Sequence, residues 1–426
     1  MIKRVLVGCG IVGVVVLLAF VLLAWESAIP EEAPPATARF SAGEIEQGRV
    51  LAGIGNCQSC HTVDPERPFA GGLAMPTPFG TLYSTNISPD PDAGIGRWSE
   101  AAFIRSMQEG VARNGSHLYP VFPYTHYSLV NDADLRALYA FIMTREPISG
   151  ASPDNELAFP FNLRMLQAGW KLLFFDNERW QPEAGRSAQW NRGAYLAEGL
   201  GHCSSCHTPR NQLGAERASQ AYDGALVNNW YAPALNARRE TPVGWTQQEL
   251  YAYLREGGSP YHGVAVGSMA HVVHQGLAAA SDGDIEALAV YFSDKNGSPT
   301  DQQAAATAQE VISQTQARVT ADLSHGQALF TAACSACHFN SAERPNVLRP
   351  ELSLNSAVTA QDPVNLIRVT LAGVSNEAGL AGALMPGFAG ALSNQDIASL
   401  LRFLRSTHTE EPAWDNLEQR IQNQRQ

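Results

Sequence analysis

Cys57-Gln58-Ser59-Cys60-His61 is the stretch that decides how this chain is read. The same spacing returns as Cys203-Ser204-Ser205-Cys206-His207 and as Cys334-Ser335-Ala336-Cys337-His338. Of seven cysteines only Cys9 falls outside the pattern. Two thiols three positions apart can form thioethers with the two vinyl groups of one haem, and the adjoining histidine is then held under the iron. Disulfides leave a histidine after every second cysteine unexplained. A structural zinc site needs four ligands, usually two such pairs brought together, whereas these pairs lie more than a hundred residues apart. A thioredoxin-like pair belongs in a βαβ setting that this sequence lacks. Three covalently bound haems c are therefore expected on Cys57 and Cys60, Cys203 and Cys206, and Cys334 and Cys337, with His61, His207 and His338 as proximal iron ligands.

The motifs sit in a repeated unit. Each is preceded by a predicted helix carrying a glycine: Gly48, Gly193 and Gly326. A second helix follows, opening at Trp98-Ser99 and Trp245-Thr246 in the first two copies, with Thr246 and Glu249 forming a capping box. It ends at Gly110, Gly257 and, in the third copy, Gly373. A last helix opens at Asp134, Asp284 and Asp396, with Leu138, Leu288 or Leu400 four positions on and Phe141, Tyr291 or Phe403 seven positions on. That is one apolar helical face bearing a ring, and core packing accounts for it. Twelve residues past Gly257 is Met269, and twelve past Gly373 is Met385. A lone methionine is more often core filler, but two at one matched offset before the closing helix read as sixth ligands to iron. In the first copy the same count falls on Phe122, which cannot bind iron. Three outcomes stay open for haem one: an iron left five-coordinate beneath Phe122, a histidine ligand from His126 or His117, or a distant methionine such as Met75.

Lys3 and Arg4 precede an uninterrupted apolar run from Val5 to Trp25, long enough for a bilayer-crossing helix. The basic pair should stay cytoplasmic and the remainder be exported. The expected fold is thus all-α, with three tandem class I cytochrome c domains after an N-terminal transmembrane helix. Residues 1–25 are the anchor, 26–40 a Pro-rich spacer, 41–146 domain one, 147–186 an apolar connector, 187–294 domain two, 295–322 a linker, 323–408 domain three and 409–426 a polar tail. The expected location is the bacterial inner membrane, with the haem domains on the periplasmic side. At 426 residues the chain is too long for one ordinary core. Its net charge of −12 argues against a nucleic-acid partner. Within the connector, Gly169-Trp170-Lys171-Leu172-Leu173-Phe174-Phe175 is unusually apolar. It reads as a segment packed on domain two or as a docking or membrane-surface patch.

Stretches beyond the cysteines carry a resemblance: Thr77-Pro78-Phe79-Gly80, Ser84-Thr85-Asn86-Ile87-Ser88-Pro89-Asp90, Gly94-Ile95-Gly96-Arg97-Trp98-Ser99, Trp190-Asn191-Arg192-Gly193, Cys206-His207-Thr208-Pro209-Arg210-Asn211, Trp230-Tyr231-Ala232-Pro233 and Met385-Pro386. Through them nearly the whole chain after the apolar run resembles the triheme cytochrome c subunit of bacterial membrane-bound dehydrogenases of the alcohol, gluconate and sorbitol type. The resemblance implies that the chain takes electrons from a catalytic dehydrogenase subunit of flavin, quinoprotein or molybdenum type and passes them to ubiquinone or a terminal oxidase. It implies proximal His61, His207 and His338 and distal Met269 and Met385. The family has a methionine where this chain has Phe122. No nucleotide loop, nucleophile motif or flavin fingerprint is present, so no catalytic residue is expected and substrate oxidation falls to a partner. A competing reading gives haem one an open iron with peroxidase-like or small-ligand-binding activity. A third makes the chain a wiring or assembly protein short of one haem.

Overall fold

The computed structural model describes residues 2–238, 240–319, 324–338, 347–375 and 385–425. Residues 320–323, at the expected junction of linker and domain three, lie outside the described residues. The chain divides into two compact units, Met1–Pro182 with Glu198–His202, and Glu183–Ala197 with Cys203–Gln426.

In the first unit the helix Ala42–Ile54 packs on the helix Asp132–Met143. Ser41 opens the former with a complete capping box, its hydroxyl accepting from the Glu44 amide while Glu44 reaches back to the Ser41 amide. At the crossing, a Cβ on Gly48 would fall on the carbonyl of Ala137 and on Cβ of Phe141. The second unit repeats this crossing twice. Gly193 meets Ala287 and Tyr291 where Ala188–Tyr195 packs on Asp282–Asn296, and Gly326 meets Ser399 and Phe403 where His325–Ala333 packs on Asn394–His408. The glycines are there because the two helix backbones touch, and no side chain fits between them. Each closing helix starts two residues before the aspartate marked in the sequence. Asn131, Ser281 and Ser393 are the N-caps, each accepting from the amide of that aspartate.

The all-α expectation is corrected by three small antiparallel sheets among the described residues. Ala74–Thr77, Gly80–Tyr83 and Glu156–Leu157 form one, Ala225–Val227 and Trp230–Ala232 a second, and Gly258–Ser259 and Gly263–Val264 a third. These strands are two to four residues long, too short for an alternating pattern to register in sequence.

The transmembrane expectation is corrected too. A helix spans Ile2–Leu23, but among the described residues no helix is long and apolar enough to cross a membrane. The end of the apolar run is drawn onto the first unit. Ala24 is buried and its carbonyl accepts from Nε2 of His117 at 2.9 Å, and the amide of Ile29 donates to the Arg113 carbonyl. The anchor over 1–25 and the inner-membrane, periplasm-facing location that depended on it are withdrawn. Counting apolar residues cannot register that tertiary contact.

The connector and the tail have structure of their own. Glu156–Leu157 pairs with Gly80–Thr81, and Leu166–Phe174 is helical. In the tail, Leu417–Gln424 is a helix whose Leu417 and Ile421 are fully buried against Ile397, Leu401 and Trp414. The linker helix Asp301–Arg318 buries Ala304, Ala308 and Ile312 against Val243 and Leu354.

Candidate functional site

Each cysteine–histidine motif folds as a short helical turn: Cys57–His61, Ser204–His207 behind Cys203, and Ser335–His338 behind Cys334. The turn places two thiols and an imidazole on one short stretch, and the six cysteines are free thiols. In all three copies Nδ1 of the histidine meets a backbone carbonyl: His61 with Thr85 at 2.7 Å, His207 with Pro233 at 2.7 Å and His338 with Pro350 at 3.2 Å. A carbonyl can only accept, so Nδ1 carries the proton and Nε2 keeps its lone pair. Burial holds all three imidazoles below their ordinary pKa, against the opposing pull of that carbonyl. Neutral imidazole with Nδ1–H tied back is the form in which histidine ligates a metal. Burial also pushes the Cys57 thiol up to about 12, with the neighbouring Cys60 adding to the rise. A thiol pair and an oriented imidazole are the donor set of haem c, so the residues present fit that group.

The carbonyl acceptors were not read as functional from the sequence. Their signal was available: Thr85 and Pro233 both lie in the stretches that carry the family resemblance, each just after a strand of a hairpin. Pro350 has no such flag.

The loops expected to carry the sixth ligands begin at the helix-ending glycines. Gly110 and Gly257 adopt left-handed conformations, with φ of 61° and 87°, and Gly373 has φ of 78°. Thr246 caps the helix before Gly257 by accepting from the Glu249 amide, but the reciprocal half of the expected box is not made. The Glu249 carboxylate instead accepts from the Tyr261 amide. Met269 lies in the short helix Ser268–His271, half-buried. Met385 exchanges both backbone hydrogen bonds with Val374, at 2.9 Å each. Residues 376–384, most of the loop between them, lie outside the described residues.

In the first copy Phe122 is half-buried, its ring 5.2 Å from that of Tyr127. Tyr127 is buried, and burial together with nearby Cys57 and Cys60 pushes its phenol well above the usual value. This contact ties the Phe122 loop to the first cysteine pair. His117 has both ring nitrogens engaged. Nε2 donates to Ala24, so Nδ1 accepts, from Nζ of Lys171 at 3.0 Å. His126 is buried with Nδ1 on the Glu198 carbonyl at 2.8 Å. Met75 lies in the strand Ala74–Thr77, opposite Leu82. Lys171 also donates to the carbonyls of Glu109 and Gly110 at 2.6 and 2.9 Å, and burial lowers its pKa to about 8. It fastens the connector helix to the end of the helix before Gly110.

Comparison with known proteins agrees with this donor set. The cytochrome c family profile matches residues 45–146 and 323–408. The chain is 44% identical over 412 residues to a nicotinate dehydrogenase subunit of Pseudomonas putida, covering 96% of this chain and 34% of that protein. The chain thus spans about a third of that relative's length. It is 36% identical to the gluconate 2-dehydrogenase cytochrome c subunit of Pantoea cypripedii over 387 residues, 85% of each chain. It is 33% identical to the cytochrome c subunit of the quinone alcohol dehydrogenase of Gluconacetobacter polyoxogenes, over 85% of this chain and 80% of that one. Sequence identity over most of both chains, joined to three identically oriented cysteine–histidine turns, places this protein in the cytochrome c family, whose members bind haem c covalently, beside the cytochrome c subunits of dehydrogenases.

Proposed function

We propose that this chain is a triheme electron-transfer subunit and not itself the catalyst. Haem one is attached through Cys57 and Cys60, haem two through Cys203 and Cys206, and haem three through Cys334 and Cys337. His61, His207 and His338 are the proximal ligands, and Met269 and Met385 the distal ones. The observation that carries the reading is the threefold recurrence of Nδ1–H tied to a backbone carbonyl, at Thr85, Pro233 and Pro350. When bound, each haem supplies a one-electron couple. The chain's own residues would fix the three imidazoles as neutral ligands and would supply a thioether at haems two and three, which would raise their potentials. Electrons come from a partner dehydrogenase and leave to ubiquinone or a terminal oxidase. Identity to the nicotinate dehydrogenase subunit favours a partner acting on nicotinate or a similar heteroaromatic acid over the sugar and alcohol partners of the other relatives. The denatured protein should keep its haem and exceed the polypeptide mass by three haems. A mass matching two or fewer refutes the count.

A second reading concerns haem one alone. Phe122 stands at the methionine position, and both nitrogens of His117 are engaged elsewhere. On this reading haem one would have an open or weakly ligated iron that admits a small ligand, with Nε2 of His126 and Met75 as the remaining alternative ligands.

A further inference from the structure

Trp230-Tyr231-Ala232-Pro233 runs through the second copy and touches both sides of its site. At one end the Pro233 carbonyl holds Nδ1 of His207 at 2.7 Å. At the other end the Trp230 indole covers Gly267, two residues before Met269, so closely that a Cβ there would meet the ring. Gly267 has φ of 56°, and only glycine takes that turn without strain while leaving room for the indole. Four residues thus connect the proximal histidine to the methionine-bearing loop. What fixes those four residues comes from the third copy. The side-chain amide of Asn365 accepts from the Tyr231 amide and donates to the Tyr231 carbonyl, both at 2.8 Å, as a neighbouring strand would. One turn on, the Arg368 guanidinium lies 4.5 Å from the centroid of the Trp230 ring. Its Nη1 donates to Gln424 of the tail helix, and its buried Nε has no hydrogen-bond partner among the described residues. The face of Trp230 and the Gln424 amide therefore hold the guanidinium, and it in turn pins the indole. Both residues belong to the helix Val364–Ala372 that leads into Gly373.

We propose that Asn365 and Arg368 are positioning residues for haem two, acting across from the third copy through Trp230–Pro233, so that the potential of the second haem is set in part by the third copy's helix. The proposal rests on the triheme reading above, and its test separates the two. Redox titration of the full chain should resolve three couples, and the couple missing from the Cys203→Ala/Cys206→Ala double variant is that of haem two. Asn365→Leu and Arg368→Gln should each shift that same couple downward, by less than Trp230→Ala does. The couple lost in Cys334→Ala/Cys337→Ala should stay in place. Trp230→Phe and Arg368→Lys, which keep a ring and a cation, should leave the couple close to its parent position. Asn365→Leu and Arg368→Gln variants that melt as the parent does yet leave the haem-two couple unmoved, or move only the haem-three couple, overturn the proposal. If Met269→Ala leaves the haem-two couple unchanged, the ligand assignment fails while the proposal stands or falls on Asn365 and Arg368. If the first double variant loses no couple, the triheme reading fails and takes the proposal with it.

Discussion

The loops after Gly110 and after Gly373 start alike and finish differently. In the first copy the residue after the glycine, Val111, bridges to His117, and the loop then runs on to Phe122. In the second copy Gly258 pairs with Val264, the same seven positions past the glycine. In the third copy Val374 pairs with Met385 itself. The offset of twelve that joins Met269 to Met385 is therefore reached by two backbone routes, and copy one follows the route of copy two while ending on an aromatic ring. The histidine-to-carbonyl contact repeats three times, whereas the loop after the helix-ending glycine differs between copies. The three imidazoles are held by one rule, whereas the loops that lead to Phe122, Met269 and Met385 follow two backbone routes and end on two kinds of side chain.

The sharpest way to break that comparison is carbon monoxide. On the proposed reading, in which Phe122 stands where a methionine would cap the iron, the native protein should bind it at one haem of the three. Met385→Ala should raise this to two and remove one thioether-to-iron absorption feature, and Phe122→Met should abolish binding and raise the potential of haem one. A native protein that is wholly low-spin and binds no carbon monoxide would erase the distinction between the copies.

A smaller effect tests the shared half of the comparison. Gly48→Ala, Gly193→Ala and Gly326→Ala each push a methyl into a backbone carbonyl of the facing helix, and each should cost about 1–3 kcal/mol or more in denaturant unfolding. Near-equal losses support three equivalent crossings. A neutral substitution at any one would single out that copy as differently packed.

The smallest effect distinguishes copy three. His408 is buried at the end of its closing helix, 5.7 Å from the Phe330 ring. Burial, with Arg318 nearby, lowers its pKa to about 4. The matching residues of copies one and two are Glu146 and Asn296. Because the folded-state value lies below the unfolded one, the unfolded chain takes up the proton first. The stability contributed by neutral His408 is present above about pH 6.5 and is lost as pH falls toward 4. Thermal melts of the second unit should show this slope, and His408→Phe should flatten it.

Much of this was legible in the sequence because it depends on local chemistry. Cysteine spacing, helix-ending glycines and N-cap residues act over a few positions, and the observed helices start and stop near where those residues place them. The three buried glycines were visible as a repeat, although only the structure gives their reason. What was missed depends on contacts distant in sequence. The hairpin carrying Thr85 and the one carrying Pro233 are too short to show a period. The helix Leu417–Gln424 offers only two apolar residues in a polar stretch, enough for one buried stripe but little signal. The apolar run at the N-terminus gave the opposite error, because its composition alone promised a membrane span.

The tail helix has a practical meaning for anyone who edits the gene. Just beyond it, Arg425 donates to the carbonyls of Ala389 and Leu392 and to the Asn394 side chain, close behind Met385. A premature stop after Asp415 would leave every motif intact and still unfasten the segment that follows the third copy's methionine. If Met385 is the ligand proposed above, such a lesion would look, in a spectrum, like a damaged ligand, although no ligand codon had changed.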